Sequence, residues 1–236
     1  MGIENATIQL KKELLEYSFK HNLAHIPSAL SMFDYVWELF SKGLVKIDDK
    51  LIIGKPFGAQ AYYIIWKHLG YLDDIDNLAV ALKHEQVSFV TLSEETLGNS
   101  LGIAAGVAMT TDKLVWVNLT DATLQMGATL EAIQFIGHNN LNNILVTVDY
   151  NGSQVTGKTA DIMPTDPVID LFKGYGWEVH DNLNNFSIGY RPKVFIMKTK
   201  KGSGIPSMEQ DTKKWHYRQI ATLEELQSLV AELRDT

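Results

Sequence analysis

The chain contains no cysteine among its 236 residues. This absence excludes disulfides, thiolate nucleophiles and zinc sites built on sulfur. No apolar run approaches the roughly 20 residues that cross a bilayer, and the N-terminus lacks the basic start and apolar stretch of a signal peptide. We therefore expect a cytoplasmic protein that does not bind a membrane.

Clustered positive charge is also lacking. The 21 Lys and Arg residues are outnumbered by 28 Asp and Glu residues, which gives a net charge of −7. Because phosphate backbones are bound by clustered basic side chains, we expect no nucleic-acid partner. Apolar residues make up 45% of the chain, enough for a substantial core at this length. We expect one domain over residues 1–236 and a small-molecule substrate.

Apolar residues recur at helical spacing in several segments. They predict helices over 7–21, 28–43, a segment ending near Gly70, the small-residue stretch 96–113, and 222–234. In the last helix, Thr222 is a predicted N-cap, and Glu225 three residues later completes a capping box.

Four short runs are typical of β-strands: 113–121, 142–151, 176–181 and 192–200. The first two enclose a helical stretch at 124–139, and this order predicts a parallel crossover unit. The runs are continuously apolar rather than alternating, as in strands covered on both faces. The sequence therefore predicts an α/β fold: a doubly wound, mostly parallel sheet with helices on both faces.

Two polar residues, Asp121 and Asn151, end the first two predicted strands. In open α/β sheets, ligands bind beyond the carboxyl ends of the strands. Two hard oxygen ligands there suit Mg²⁺, which completes its coordination with phosphate and water, and a helix starting after Asp121 would direct its N–H groups at the same anion. Alternatively, Asp121 only caps that helix and Asn151-Gly152 only forms a turn.

The stretch from Asp121 to Gly157 resembles the thiamine diphosphate motif of the transketolase family. That motif reads G-D-G, E-G, E-A, L-x-N and D-x-N-x-x-Q-x-x-G, and the matching residues are Thr120-Asp121-Ala122, Gly127, Glu131-Ala132, Leu141-Asn142-Asn143, Asp149-Tyr150-Asn151, Gln154 and Gly157. The segments "LAHIPSALS", "LGNSLGIAAGVAM" and "TKKGSGIPSMEQDTKKWH" are similar to three further family segments. The resemblance thus runs nearly from end to end of the chain.

The resemblance implies thiamine diphosphate and Mg²⁺ as cofactors. The implied metal ligands are Asp121, the Asn151 side chain and the main-chain carbonyl of Ser153. The implied cofactor-binding residues are Asp121, Ala122, Thr123, Asn151, Leu97, Gly98, Glu95 and His216. The implied catalytic residues, which would line a substrate channel, are His25, His216 and His84.

Five residues depart from the family pattern. Thr120 and Ala122 replace glycines that let the backbone approach phosphate closely. Phe57 replaces a histidine, which removes a proton carrier and suggests a substrate with fewer phosphate or hydroxyl groups than a pentose phosphate. Glu95 replaces a glycine and either points outward or alters the pocket, and Met126 replaces an acid that the resemblance places at a dimer interface.

The function implied is that of the N-terminal, diphosphate-binding subunit of a split transketolase-like enzyme, which moves a two-carbon ketol unit from a ketose-type donor to an aldehyde. In the family a pyrimidine-binding domain follows this one, but the chain ends after its terminal helix. We therefore expect a second polypeptide that carries that domain and its catalytic glutamate, in an α2β2 heterotetramer. Two alternatives remain: thiamine-dependent decarboxylation of 2-oxo acids with carboligation, and a catalytically degenerate scaffold subunit.

Overall fold

The computed structural model describes residues 3–76 and 78–234, with side chains from residue 6 onward. Met1 and Gly2, which begin the stretch used above to exclude a signal peptide, lie outside the described residues. The chain divides into two compact units. Unit 1 comprises Met1–Ser41, Phe57–Ala81 and Thr199–Thr236, and unit 2 comprises Lys42–Pro56 and Leu82–Lys198. A single domain over residues 1–236 stays a prediction.

Helices and strands alternate through most of the chain. In chain order they are α1 (Ile3–Lys20), α2 (Ile26–Ser41), β1 (Lys50–Ile53), α3 (Gln60–His68), β2 (Val90–Ser93), α4 (Ser100–Ala108), β3 (Val115–Thr120), a 3-10 helix (Asp121–Gln125), α5 (Gly127–His138), β4 (Ile144–Tyr150), α6 (Thr159–Ile162), α7 (Asp166–Gly174), β5 (Glu178–His180), β6 (Lys193–Lys198), α8 (Pro206–Gln210) and α9 (Leu223–Glu232).

Unit 1 is helical. Helices α1, α2 and α3 pack against one another, α9 packs against α1, and α2 is buried along most of its length. At the start of α9 the Thr222 hydroxyl accepts the Glu225 N–H at 3.2 Å, as predicted. The Glu225 carboxylate reaches back to the N–H of Ala221 at 2.8 Å, one residue before the N-cap. In both units, no described helix is long and apolar enough to span a membrane.

Unit 2 is built on a six-stranded sheet in the order β2-β1-β3-β4-β6-β5, and its neighbouring strands are parallel. Trp116 and Val117 point to opposite faces of β3, and both are fully buried. One face forms a core with α4, α5 and α7, and this core includes Val117, Val146 and Ile133. The predicted α/β fold with a mostly parallel sheet is confirmed.

The structure differs from the sequence prediction in three places. Helices α6, α7 and α8 were not predicted. Strands β1 and β2, of four residues each, were not predicted, because runs this short carry no periodicity. The predicted helix over 124–139 is also broken: a five-residue 3-10 helix follows Thr120, and the extended backbone of Met126 separates it from α5. The helix that was expected to direct its N–H groups from Asp121 is therefore only this short turn.

Packing of α5 against the turn before β5 leads to a prediction about stability. A Cβ added at Gly137 would lie 2.2 Å from the main-chain oxygen of Tyr175 and 3.1 Å from Cδ1 of Trp177. Because a backbone atom must move, we expect Gly137→Ala to lower the free energy of unfolding by about 3 kcal/mol, measured by urea denaturation. Gly106→Ala, on α4 with nothing within 4 Å of its Cβ, should raise it by up to about 1 kcal/mol. Equal midpoints for the two variants would contradict this packing.

Candidate active site

The carboxyl ends of β3 and β4 lie side by side in unit 2. Thr120 and Asp149 are register partners on these strands, and the chain leaves the sheet at Asp121 and Asn151. The N–H of Gly152 donates to Oδ2 of Asp121 at 2.7 Å, so the two strand ends are in direct contact. The structure thus brings together the two residues that the sequence placed at neighbouring strand ends.

The Asp121 carboxylate is buried and held on both oxygens. Oδ2 also accepts the hydroxyl of Thr159 at 3.0 Å, whereas Oδ1 accepts the N–H of Ala122 at 2.8 Å and the hydroxyl of Thr120 at 3.2 Å. Burial raises the pKa of Asp121, and the negative charge of Asp149 adds to that rise, against the lowering effect of the hydrogen bonds. The N-cap of the 3-10 helix is Thr120, so Asp121 is not the helix cap of the alternative interpretation.

A buried ion pair joins Lys55 and Asp149 beside this carboxylate. It spans the end of β3, because β3 lies between β1 and β4 in the sheet. Oδ2 of Asp149 also accepts the side-chain amide N–H of Asn151 at 2.8 Å, and Oδ1 of Asn151 accepts the N–H of Ser153 at 3.0 Å. Asp149 therefore fixes which way the Asn151 amide faces, with its oxygen turned away from the carboxylate.

The loop after β4 folds back onto Asp121. Its turn closes with the N–H of Gln154 donating to the oxygen of Gly157 at 2.8 Å. Thr159 then donates its N–H to the oxygen of Gly152 at 2.9 Å and its hydroxyl to Asp121. Through these two hydrogen bonds, Thr159 clamps the loop to its own start at Gly152 and to Asp121. Sequence reasoning missed it because it lies two residues beyond Gly157, where the matched motif ends.

The oxygen donors at the carboxyl ends of β3 and β4 fit a hard divalent cation. Within the described ranges, Asp121 has hydrogen-bond donors but no salt bridge, so its buried charge lacks a cationic partner. In the described part of the chain, no group of three or more His, Cys, Asp and Glu side chains is placed so that it could hold a metal ion. A cation here would therefore need amide and main-chain oxygens as well as Asp121, a donor set that suits Mg²⁺.

A separate cluster of aromatic rings lies in unit 1. The rings of His25 and His216 are 4.9 Å apart, Phe57 lies 4.8 Å from His25, and Tyr217 lies 4.6 Å from His216. Both histidines are buried. The structure thus brings together two of the three histidines predicted to be catalytic, with Phe57 beside them.

His25 has a left-handed backbone conformation, with φ at 59°. This region is sparsely populated by residues other than glycine, and the strain persists only where the surrounding structure imposes it. Here the oxygen of His25 accepts the N–H groups of Ser28 and Ala29 at 3.0 and 3.1 Å, in the first turn of α2. Such strain is common at functional sites, although the catalytic role of His25 stays a prediction.

Lys201 contacts the second histidine of this cluster. Its Nζ lies 2.8 Å from Nδ1 of His216, and both side chains are buried. Burial lowers the pKa of His216 to about 4, with further lowering by the charges of Lys201 and His25. Sequence reasoning matched the segment that contains Lys201 but gave that residue no role.

His84 lies in unit 2 near the amino ends of strands β1 and β2. It is exposed and borders a cavity of about 520 Å³, together with residues at the amino ends of β1 and β2 such as Lys50 and Val90. Asp121 follows the carboxyl end of β3, which is parallel to β1. The structure therefore does not bring His84 to the strand ends where Asp121 lies. A channel role for His84 has no support from this geometry.

Comparison with known proteins finds a match to one protein family. Residues 102–216, which include Asp121, Asn151 and His216, match the family described as "Transketolase, thiamine diphosphate binding domain". Over this range the chain resembles that domain. The resemblance stated from the sequence is confirmed.

Two relatives in this family match most of the chain. One of them, from Actinobacillus succinogenes, is named as a subunit of apulose-4-phosphate transketolase and is 27% identical, over 91% of this chain and 86% of the relative. The other, from a Clostridium species, is named as a subunit of 6-deoxy-6-sulfo-D-fructose transketolase and is 25% identical, over 84% of this chain and 80% of the relative.

A solved transketolase has the same fold. The structure of transketolase from Campylobacter jejuni superposes with a TM-score of 0.80 at 19% identity, over 98% of this chain. The match covers 43% of that transketolase, so the chain spans less than half of its length.

Four residues that depart from the transketolase pattern lie in unit 2: Thr120, Ala122, Glu95 and Met126. The Thr120 hydroxyl contacts Asp121, while Ala122 and Thr123 lie in the 3-10 helix. Glu95 is exposed. The backbone of Gly98, next to Leu97, has φ at +119°, and a Cβ there would lie 3.1 Å from Cβ of Met126. The methionine thus packs against the segment predicted to bind the cofactor.

Proposed function

We propose that this chain is the diphosphate-binding subunit of a two-component transketolase-like enzyme. The enzyme transfers a two-carbon ketol unit from a ketose-type donor to an aldehyde acceptor. The observation that carries the proposal is the contact between the strand ends of Asp121 and Asn151, inside the region that matches the thiamine diphosphate binding domain. Relatives whose names describe transketolase subunits, rather than whole enzymes, support the division into two components.

Mg²⁺ would be held by the Asp121 carboxylate, Oδ1 of Asn151 and the main-chain oxygen of Ser153. Asp149 orients the Asn151 amide, and Thr159 orients the Asp121 carboxylate. The residues assigned to the cofactor itself are Ala122, Thr123, Leu97, Gly98, Glu95 and His216. When bound, thiamine diphosphate supplies the nucleophilic carbon that accepts the two-carbon unit.

The histidine cluster of unit 1 would bind the substrate. His25 and His216 would form hydrogen bonds to substrate oxygens, and His25 would also exchange protons with them. The Phe57 ring, 4.8 Å from His25, offers an apolar surface where the family has an imidazole. We therefore expect the donor to present fewer hydroxyl or phosphate groups at that position than a pentose phosphate does.

A second polypeptide would supply the pyrimidine-binding domain and its catalytic glutamate. The 43% share of the Campylobacter jejuni transketolase that this chain covers leaves room for such a domain. We expect an α2β2 heterotetramer. A cytoplasmic location stays a prediction from the sequence.

Reconstitution tests this function. The chain is mixed with the product of a neighbouring reading frame that encodes the pyrimidine domain, and is assayed with thiamine diphosphate, Mg²⁺ and an aldehyde acceptor. Donors include apulose 4-phosphate, 6-deoxy-6-sulfofructose and fructose 6-phosphate, and we expect ketol transfer from at least one of them. Carbon dioxide release from 2-oxo acids would instead support decarboxylation, and absence of both turnover and cofactor binding would support a scaffold.

The clamp formed by Thr159 leads to a prediction about metal affinity. Thr159→Val removes the hydroxyl that donates to Asp121 while keeping the volume of the side chain. We expect Mg²⁺-dependent binding of thiamine diphosphate to the reconstituted pair to weaken by about 10-fold or more, as for other outer-shell donors. Thr159→Ser keeps the hydroxyl and should keep most of the affinity. Equal affinity of the two variants, measured by calorimetry, would show that the clamp has no part in binding.

A further inference from the structure

The contact between Lys201 and His216 restricts where the imidazole can carry its proton. A protonated lysine donates hydrogen bonds and accepts none. Its approach to 2.8 Å from Nδ1 is therefore favourable only if that nitrogen is the acceptor. A neutral imidazole whose Nδ1 accepts must carry its proton on Nε2.

The segment around Lys201 holds the amine in this position. The N–H of Gly202 donates to the oxygen of Pro27 at 3.0 Å, which ties the segment to the first turn of α2. Gly202 has φ at +83°, and a Cβ there would lie only 2.8 Å from Cβ of Met208. Lys201 thus extends from a turn whose backbone is fixed on both sides, one by a hydrogen bond and the other by close packing.

We propose that Lys201 is a positioning residue that keeps His216 neutral, with its proton on Nε2, so that His216 acts as a hydrogen-bond donor and not as a base at that nitrogen. The contact with Lys201 is made at Nδ1, so it leaves Nε2 to donate to a ligand. Within the proposed function, on which this consequence rests, the ligand is a carbonyl or anionic oxygen of the substrate.

The surroundings of His216 agree with a neutral ring. The titratable groups that face it are Lys201, His25 and Tyr217. Protonation of His216 would place a third potential cation beside Lys201 and His25 in a buried cluster, where desolvation already opposes charge. These effects lower the pKa of His216 to about 4, burial first and the charges of Lys201 and His25 after it.

Nuclear magnetic resonance of the full chain with ¹⁵N-labelled histidine tests the proposal directly. The His216 signals are assigned by their loss in His216→Gln. Between pH 5 and pH 8 we expect one neutral tautomer, with Nδ1 unprotonated and Nε2 protonated, and protonation only near pH 4. A spectrum with the proton on Nδ1, or a midpoint near the ordinary imidazole value of 6.5, would overturn the proposal without any variant.

Two lysine variants separate positioning from burial. In Lys201→Met, which keeps a long side chain but no charge or donor, the tautomer should no longer be fixed. The pKa of His216 should rise but stay below 6.5, because burial remains. Lys200→Met removes the neighbouring lysine, which pairs with Glu209 instead, and should leave the His216 titration unchanged. An unchanged titration in Lys201→Met would also overturn the proposal.

The pH dependence of stability offers a second readout. Because the pKa of His216 is lower in the folded chain, the unfolded chain binds more protons between pH 6.5 and pH 4, so stability should fall as the pH falls through that window. The fall should be shallower in Lys201→Met than in the wild-type chain. Parallel curves for the two proteins would contradict the assigned role.

The proposed role of Lys201 and the proposed function can each be wrong while the other is right. If the reconstituted pair transfers no ketol unit but the spectrum shows the fixed tautomer, the function is wrong and the role of Lys201 toward His216 stands. If transfer occurs and the tautomer is absent, the function stands and the role of Lys201 is wrong.

Discussion

Asp121→Ala is expected to weaken Mg²⁺-dependent binding of thiamine diphosphate by at least about 100-fold, beyond the effect of losing an outer-shell donor. The substitution removes one of two side-chain oxygen ligands and the only ionised one. The neighbouring carboxylate of Asp149 cannot replace it, because Asp149 is engaged with Lys55 and Asn151. Activity of the reconstituted pair should fall with the loss of the cofactor.

Calorimetry on the reconstituted pair, with and without Mg²⁺, measures this effect. Asp170→Ala is the matched control, because Asp170 is an exposed aspartate on α7 that pairs only with Lys173 in the described structure. Asp121→Ala also leaves the N–H of Gly152 and the hydroxyl of Thr159 without their acceptor, so thermal unfolding must show that the variant is folded. A folded Asp121→Ala variant that binds the cofactor as tightly as Asp170→Ala would contradict the assignment.

His25→Asn is expected to lower kcat by about 10²- to 10⁴-fold, the range for loss of a proton-transferring side chain. Asparagine is the chosen replacement because it tolerates the left-handed backbone of His25, whereas alanine would add backbone strain to the loss of the ring. The affinity for thiamine diphosphate should be unchanged, since His25 is assigned to the substrate. The expected result is thus a loss of turnover with intact cofactor binding.

Steady-state kinetics of the reconstituted pair, together with calorimetry, check this pattern. His138→Asn is the control, because His138 is exposed at the end of α5 and matches nothing in the family pattern. Loss of turnover with a parallel loss of cofactor affinity would assign His25 to folding or cofactor binding. Unchanged turnover would remove it from the catalytic residues.

Much of the fold could be predicted from the sequence, because the central strands carry strong local signals. Strands β3 and β4 are continuously apolar and end on polar residues, and their pairing places Asp121 beside the loop after β4 as expected. Strands β1 and β2 could not be found in this way. Each has four residues and becomes recognisable only through its parallel neighbours.

The contacts that orient the residues around Asp121 and those around His216 could not be predicted from the sequence. Lys55 follows a strand that was not predicted, so its pairing with Asp149 could not be inferred, although an acid inside an apolar strand was a signal of a buried partner. Lys201 lies in a matched segment, but its contact with His216 depends on a turn fixed by Gly202. Ordered motifs locate the candidate ligands, whereas the residues that orient them depend on strand order and loop geometry.

The most direct test is a crystal structure of this chain with its partner subunit, thiamine diphosphate and Mg²⁺. The predicted result is a metal ion about 2.1 Å from a carboxylate oxygen of Asp121, Oδ1 of Asn151 and the main-chain oxygen of Ser153, with the diphosphate completing its coordination. A metal ion bound elsewhere, or a diphosphate that contacts neither strand end, would contradict the account.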